Sequence, residues 1–175
     1  MERASSIPGA RLLSGAIPVL FAIFCVFFAN LPISVLGGFV PAPLLALMPV
    51  YFWCLVRPDL MTPGWAFVIG VLQDMLSGGP PGIWTASFVL TYALIDRQRD
   101  AFAGLSGWGA LLGFATAALI TCGTAYTIFD FYNGRLLSAT SMLDEFAMTV
   151  LFYAPVALIM GLVHHHLVGP LRSEI

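Results

Sequence analysis

The sequence predicts an all-α integral membrane protein, a bundle of six transmembrane helices. Its 175 residues are 59% hydrophobic and only 9% charged, whereas soluble domains are typically about 45–50% apolar and about 25% charged. Long apolar runs fill most of the chain and the connections between them are short. We therefore expect residues 1–175 to form a single membrane domain. A net charge of -2 with no basic run gives no reason to expect nucleic acid as a partner.

Glycine and proline breaks divide the apolar runs into the six predicted spans. The spans cover about residues 17–36, 43–56, 63–77, 83–95, 105–129 and 142–163. The uncharged stretch 12–56 is too long for one span, which needs about 20 residues, so we divide it near Gly38 and Pro43. Pro49 falls inside the second span, where we expect it to kink the helix.

The third and fourth spans form a hairpin, residues 64–95, joined by the Gly/Pro-rich turn Ser77–Gly82. At 1.5 Å per residue each span reaches only roughly 20–23 Å, which is less than the ~30 Å hydrocarbon core. The hairpin therefore either thins the bilayer locally or re-enters on the same side. We interpret it as the packing centre of the bundle.

Asp74 is the only acid well inside an apolar run, and an ionised carboxylate at the bilayer centre costs roughly 2.5–3.5 kcal/mol on insertion scales. It should therefore face protein. Gly70 and Gly78, one helical turn on either side, let another backbone approach closely. Two partners are open for the carboxylate: backbone N–H groups at the start of the fourth span, or Arg135. A proton relay, a ligand contact and a partner contact are the functional alternatives to this structural role.

Small residues recur at four-residue steps along the fifth span, and they are Gly109, Gly113, Ala117, Thr121 and Ala125. A stripe of this GxxxG type favours close packing between helices within the chain over contact with another chain. In the last span, Ser141 and Asp144 have the spacing of a capping box, which would place Glu145 at the helix N-terminus.

No residue pattern predicts catalysis, a metal or a cofactor. His164–His166 are consecutive, so on a helix they point about 100° apart and cannot converge on one ion; we interpret them as a solvated helix end. The three cysteines are expected to be buried thiols. The turn Ser77–Gly82 is a poor phosphate site, because its prolines lack N–H donors.

The arginines predict the orientation, because cytoplasmic loops of membrane proteins carry an excess of basic residues. With six crossings, both termini are cytoplasmic, and Asp74 and the turn Ser77–Gly82 lie toward the outer face. The cytoplasmic side then receives Arg3, Arg11, Arg57, Arg97, Arg99 and Arg172, and the outer side receives only Arg135.

The chain resembles the rod shape-determining MreD family over its whole length. The resemblance is carried by Gly70-x-x-x-Asp74, the following Gly78/Gly82 turn and a second apolar run. It also rests on the preceding Trp/Pro span, which carries Pro49, Tyr51 and Trp53. The family is thought to share the six-helix fold of the substrate-binding subunits of vitamin (ECF-type) transporters. The resemblance offers no catalytic residues, and it marks Gly70, Asp74 and Gly82 as structural or interface candidates.

The resemblance implies a non-enzymatic scaffold subunit of the bacterial cell-elongation complex in the inner membrane. Its implied partners are MreC, the actin-like MreB and the elongation transpeptidase/glycosyltransferase pair, which together support lateral peptidoglycan synthesis. The alternative is a small-molecule-capturing transporter subunit. In that case Asp74 and Trp84 would line a cavity open to the outside.

Overall fold

The computed structural model describes residues 8–31, 42–104, 108–134 and 139–168, and within these ranges the chain is helix and short connections without a strand. The described α-helices are α1 (Pro8–Ala29), α2 (Leu47–Val56), α3 (Pro63–Ser77), α4 (Ile83–Arg97), α5 (Arg99–Ala103), α6 (Trp108–Asn133) and α7 (Ala139–Val163). A π-helical turn, His164–Val168, continues α7. The all-α class is confirmed.

Two helices are long and apolar enough to cross a membrane alone, namely α6 and the continuous helix Thr140–Val168 formed by α7 and its π-helical turn. The apolar part of α1, Gly15–Ala29, and the 10-residue α2 are shorter. Helices α3 and α4 have 15 residues each, or roughly 22 Å at 1.5 Å per residue. Six crossings remain a prediction.

Helix α2 is the most enclosed element of the bundle. Seven of its ten residues are buried, against five of fifteen in α3 and six of fifteen in α4. A helix that is apolar all round is a buried helix. The hairpin α3–α4 makes the most extensive contact between any two helices, and α4 also packs against α6 and α2. The interpretation of the hairpin as the packing centre stays a prediction.

Aromatic rings fill the space around α2. Tyr51 of α2 packs edge-on against Phe114, with ring centroids 5.4 Å apart. Phe114 of α6 stacks on Tyr153 of α7 at 3.9 Å with an interplanar angle of 7°. Trp53 of α2 is completely buried and packs edge-to-face against Phe21 of α1. These contacts join α1, α6 and α7 to α2.

The second and last helices start at places other than those predicted. Helix α2 begins at Leu47, so Pro49 lies in its first turn, where no N–H is needed. The expected kink at Pro49 was therefore wrong. Helix α7 begins at Ala139, so Ser141 lies inside the helix and the predicted capping box was wrong.

The first helix is also displaced from its predicted bounds. Helix α1 begins at Pro8 and ends at Ala29, whereas the first span was placed at 17–36. Residues 32–36 and the predicted break at Gly38 lie outside the described residues. All three cysteines are free and buried, as expected, and they are Cys25, Cys54 and Cys122.

The small-residue stripe of α6 is used inside the chain. Gly113, Ala117, Thr121 and Ala125 are all buried. The hydroxyl oxygens of Thr91 on α4 and Thr121 lie 2.8 Å apart and share a hydrogen bond. The stripe therefore packs α6 against its neighbours within the bundle.

Candidate functional site

The turn between α3 and α4 is shaped by two glycines. Gly78 follows the last residue of α3 with φ of 67°, and Gly82 precedes the first residue of α4 with φ of 96°. Both values lie in the left-handed region, which glycine adopts without the steric cost that a Cβ would bring. The two glycines therefore allow α4 to fold back directly along α3.

Asp74 of α3 caps the N-terminus of α4. Its Oδ1 accepts a hydrogen bond from the backbone N–H of Trp84 at 2.8 Å. Its Oδ2 accepts from the backbone N–H groups of Gly82 and Thr85, both at 3.0 Å, and from the Thr85 hydroxyl. One carboxylate thus satisfies three of the four N–H groups that a helix start leaves without partners.

This contact explains why an acid occupies an apolar run. The residue at the cap position itself, Gly82, has no side chain to accept these bonds, and unsatisfied backbone groups are costly in hydrocarbon. Asp74 supplies the missing cap from the preceding helix and places a negative charge at the positive end of α4. The predicted contact with backbone N–H groups past Pro81 is confirmed. The alternative partner, Arg135, lies outside the described residues.

Gly70 brings the two helix backbones together one turn before Asp74. A Cβ added at Gly70 would lie 2.6 Å from the Cα of Thr85 and 3.2 Å from the carbonyl oxygen of Trp84. Both atoms belong to the backbone, so neither can rotate away. Glycine at position 70 therefore sets the separation at which the Asp74 carboxylate reaches the start of α4.

A second polar contact ties the hairpin to α1, and sequence reasoning missed it. Gln73 is 6% exposed, and its Oε1 accepts a hydrogen bond from the Asn30 side-chain amide at 3.2 Å. The same amide also donates to the carbonyl oxygen of Val26 at 2.8 Å. Polar pairs between helices stabilise packing in membranes. The sequence offered one signal for this contact: Gln73 and Asn30 are polar residues within two separate apolar runs.

A groove of about 800 Å³ runs along one side of the hairpin. Its walls are almost entirely apolar, with Asp74 at one end. Three small residues line it, Gly82 just before α4 and Ala86 and Ala93 on α4, among larger exposed side chains such as Phe67 of α3 and Leu90. The groove offers shape and apolar surface and, beyond Asp74 and Thr85, no polar group.

A smaller cavity of about 240 Å³ lies at the turn itself, between the hairpin and the facing parts of α6 and α7. Glu145 of α7 lines this cavity and is 8% exposed. Its Oε2 accepts a hydrogen bond from the Tyr126 hydroxyl at 3.1 Å. The sequence placed Glu145 merely at a helix start, so the structure adds a second buried carboxylate to the candidate site.

The two cavities separate residues that the transporter hypothesis placed together. Asp74 lines the groove along the hairpin, whereas Trp84 lines the cavity beside Glu145. Both Asp74 oxygens already accept hydrogen bonds from α4. The transporter alternative, in which Asp74 and Trp84 line one cavity, stays a prediction.

Two of the predicted interface candidates lie on α6. Gly113 is buried inside the bundle, where an added Cβ would meet the Tyr51 hydroxyl at 2.5 Å and Phe102 Cδ1 at 2.9 Å. It therefore serves internal packing and does not face a partner. Gly109 is partly exposed, one helical turn earlier, and remains an interface candidate.

Within the residues that the structure describes, no group of three or more His, Cys, Asp or Glu side chains could hold a metal ion. Asp74 is engaged as a helix cap, and Glu145 has a phenol as its hydrogen-bond donor. The site can organise helices and present an apolar groove and a small carboxylate-lined cavity.

Fold and site together define a helical membrane protein whose buried polar groups connect helices. The family model described as "rod shape-determining protein MreD" matches residues 10–163. The chain therefore belongs to the MreD family and is a rod shape-determining membrane protein. No curated protein and no solved structure matches it, so the similarity to vitamin-transporter subunits remains a prediction.

Proposed function

We propose that the chain is a non-enzymatic scaffold subunit of the bacterial cell-elongation complex in the inner membrane. Its partners would be MreC, MreB and the elongation transpeptidase/glycosyltransferase pair. Membership of the MreD family supports this proposal. The use of Asp74, Gln73 and Thr121 in contacts between helices supports it as well, because these polar groups stabilise the bundle itself.

The observation that carries the proposal is the apolar groove along α3 and α4. It has room for side chains of another helix, about 800 Å³, and its lining is apolar apart from Asp74 and Thr85. Gly82, just before α4, and Ala86 and Ala93 on α4 line the same groove and are all exposed. Exposed small residues at helical spacing let a second membrane helix approach closely. We assign the groove to the membrane helix of MreC.

Filling the groove tests this assignment. We expect Ala86→Leu to reduce co-purification of MreC in mild detergent at least several-fold, because the added side chain occupies the floor of the groove. The matched control is Ala154→Leu, which adds the same side chain to an exposed alanine on α7. Both variants should reach wild-type membrane levels and melt alike.

Two results would count against the proposal. If Ala86→Leu and Ala154→Leu retain MreC equally, the groove is not the binding surface. If cells lacking the protein keep their rod shape and still recruit the elongation enzymes, the scaffold function itself is wrong.

A further inference from the structure

We propose that the cavity beside Glu145 binds a cationic group, a guanidinium or an ammonium, at the end of a flexible chain. The cavity is lined by Glu145, three aromatic side chains and the turn between α3 and α4. This function is separate from the groove along the hairpin. The aromatic residues are Trp84, Tyr126 and Phe129.

Glu145 has hydrogen-bonding capacity that its surroundings leave unused. A carboxylate can accept about four hydrogen bonds through its two oxygens. Among the described residues, the Tyr126 hydroxyl is its hydrogen-bond donor, and it reaches only Oε2. Buried charges in proteins are normally paired, because desolvation is unfavourable without a partner. A cationic donor entering the cavity would complete the coordination of this carboxylate.

The aromatic walls favour a cation over a neutral donor. Trp84, Tyr126 and Phe129 line the cavity together with Glu145. The faces of such rings attract ammonium and guanidinium groups, most strongly when water is excluded. A neutral amide or hydroxyl could donate a hydrogen bond to Glu145 but would gain nothing comparable from the rings.

The size of the cavity limits what can enter. Sites for whole small molecules usually measure about 300–1,000 Å³, whereas this cavity measures about 240 Å³. A single charged group fits such a volume better than a vitamin does. Its source is an amine or a guanidine of another molecule.

Titration with propylguanidinium tests the proposal. Purified protein in lipid nanodiscs should bind the probe saturably, and propylurea, its neutral analogue, should bind at least tenfold more weakly. Glu145→Gln should weaken probe binding at least tenfold. The matched control is Asp144→Asn, which removes the same charge from the neighbouring, exposed carboxylate and should leave binding unchanged.

A failure of the wild-type protein to bind propylguanidinium would overturn the proposal. Equal binding of propylguanidinium and propylurea would overturn it as well.

A second variant keeps the test decisive if Glu145→Gln does not fold. Trp84→Leu removes one aromatic ring from the cavity but keeps the backbone N–H that donates a hydrogen bond to Asp74. It should weaken probe binding several-fold. Unchanged binding in both Trp84→Leu and any folded Glu145→Gln protein would overturn the cation site. Ala86→Leu, which fills the groove, should leave probe binding unaltered, so the two proposals can fail separately.

Discussion

Asp74 and Glu145 are both buried carboxylates near the turn between α3 and α4, but the chain surrounds them differently. Asp74 accepts hydrogen bonds from three backbone N–H groups and a hydroxyl. Within the part of the chain that the structure describes, Glu145 accepts one bond, from the Tyr126 hydroxyl, and it lines a cavity. Both acids could be suspected of chemistry from their burial alone. The donors around Asp74 show that it is part of the structure, whereas the surroundings of Glu145 are the basis of the proposed cation site.

The largest expected effect is the loss of the Asp74 carboxylate. Asp74→Leu should destabilise the protein by on the order of 3–6 kcal/mol, because it leaves several partly buried donors at the start of α4 unsatisfied, at about 1–3 kcal/mol each. Asp74→Asn should destabilise the protein less than Asp74→Leu does, since the amide retains one acceptor oxygen. Unfolding in SDS of detergent-solubilised protein, followed by circular dichroism, measures both values.

The neighbouring Met75 provides the control for Asp74. Its side chain is 74% exposed, so Met75→Leu should unfold like the wild type. If Asp74→Leu also unfolds like the wild type, the carboxylate does not stabilise the hairpin, and the contrast with Glu145 disappears.

The next effect concerns the close approach that lets Asp74 reach α4. Gly70→Ala should destabilise the protein by about 1–3 kcal/mol, the range for overpacking, because its Cβ would lie 2.6 Å from the Thr85 Cα. Gly123→Ala on α6 is the control, since its Cβ would meet no atom within 4 Å. Alanine favours helix over glycine by about 1 kcal/mol, so Gly123→Ala should be neutral or stabilising. Equal unfolding midpoints for the two variants would argue against a tight hairpin.

A smaller effect is expected at Glu145. Glu145→Gln should change stability by less than about 1 kcal/mol, because a typical hydrogen bond contributes about 0.5–1.5 kcal/mol and glutamine can still accept one. Tyr126→Phe removes the donor and should cost a similar amount. The same SDS titration applies. A loss as large as that of Asp74→Leu would show that Glu145 is as structural as Asp74.

The contact made by Asp74 could be predicted from the sequence because it is local. An isolated acid, two glycines at helical spacing and a Gly/Pro turn left few possible partners, and the donors lie eight to eleven residues away. The all-α class likewise follows from composition. Neither the Asp74 contact nor the all-α class depends on how helices that are distant in the sequence pack together.

The features that were missed depend on tertiary packing. Gln73 and Asn30 lie 43 positions apart in the sequence, and neither residue alone predicts the other. Glu145 follows an exposed acid, Asp144, and only the approach of α6 and the turn encloses it. Helix α2 is apolar on every side, so its sequence shows no face, and its central position could not be read from periodicity.

A third carboxylate, Asp59, extends the comparison to the surface and gives the smallest expected effect. It pairs with Arg57 at 2.8 Å in the connection between α2 and α3, and its side chain is 46% exposed. The hydrogen bond from Arg57 holds the pKa of Asp59 below its usual value of 3.8. The pair therefore stabilises the protein above that value, and this contribution is lost as the pH falls through the lowered pKa of the folded state.

Exposure limits what this pair can contribute, since surface ion pairs contribute at most about 1 kcal/mol and salt screens them. Unfolding of the wild type and of Asp59→Asn in SDS, compared at pH 7 and pH 3, should show a small stability difference at pH 7 that shrinks at pH 3. Added salt should reduce it too. A difference that grows on acidification would have the wrong sign for a lowered pKa. A difference as large as that at Asp74 would mean that donor number and burial do not separate structural carboxylates from the others.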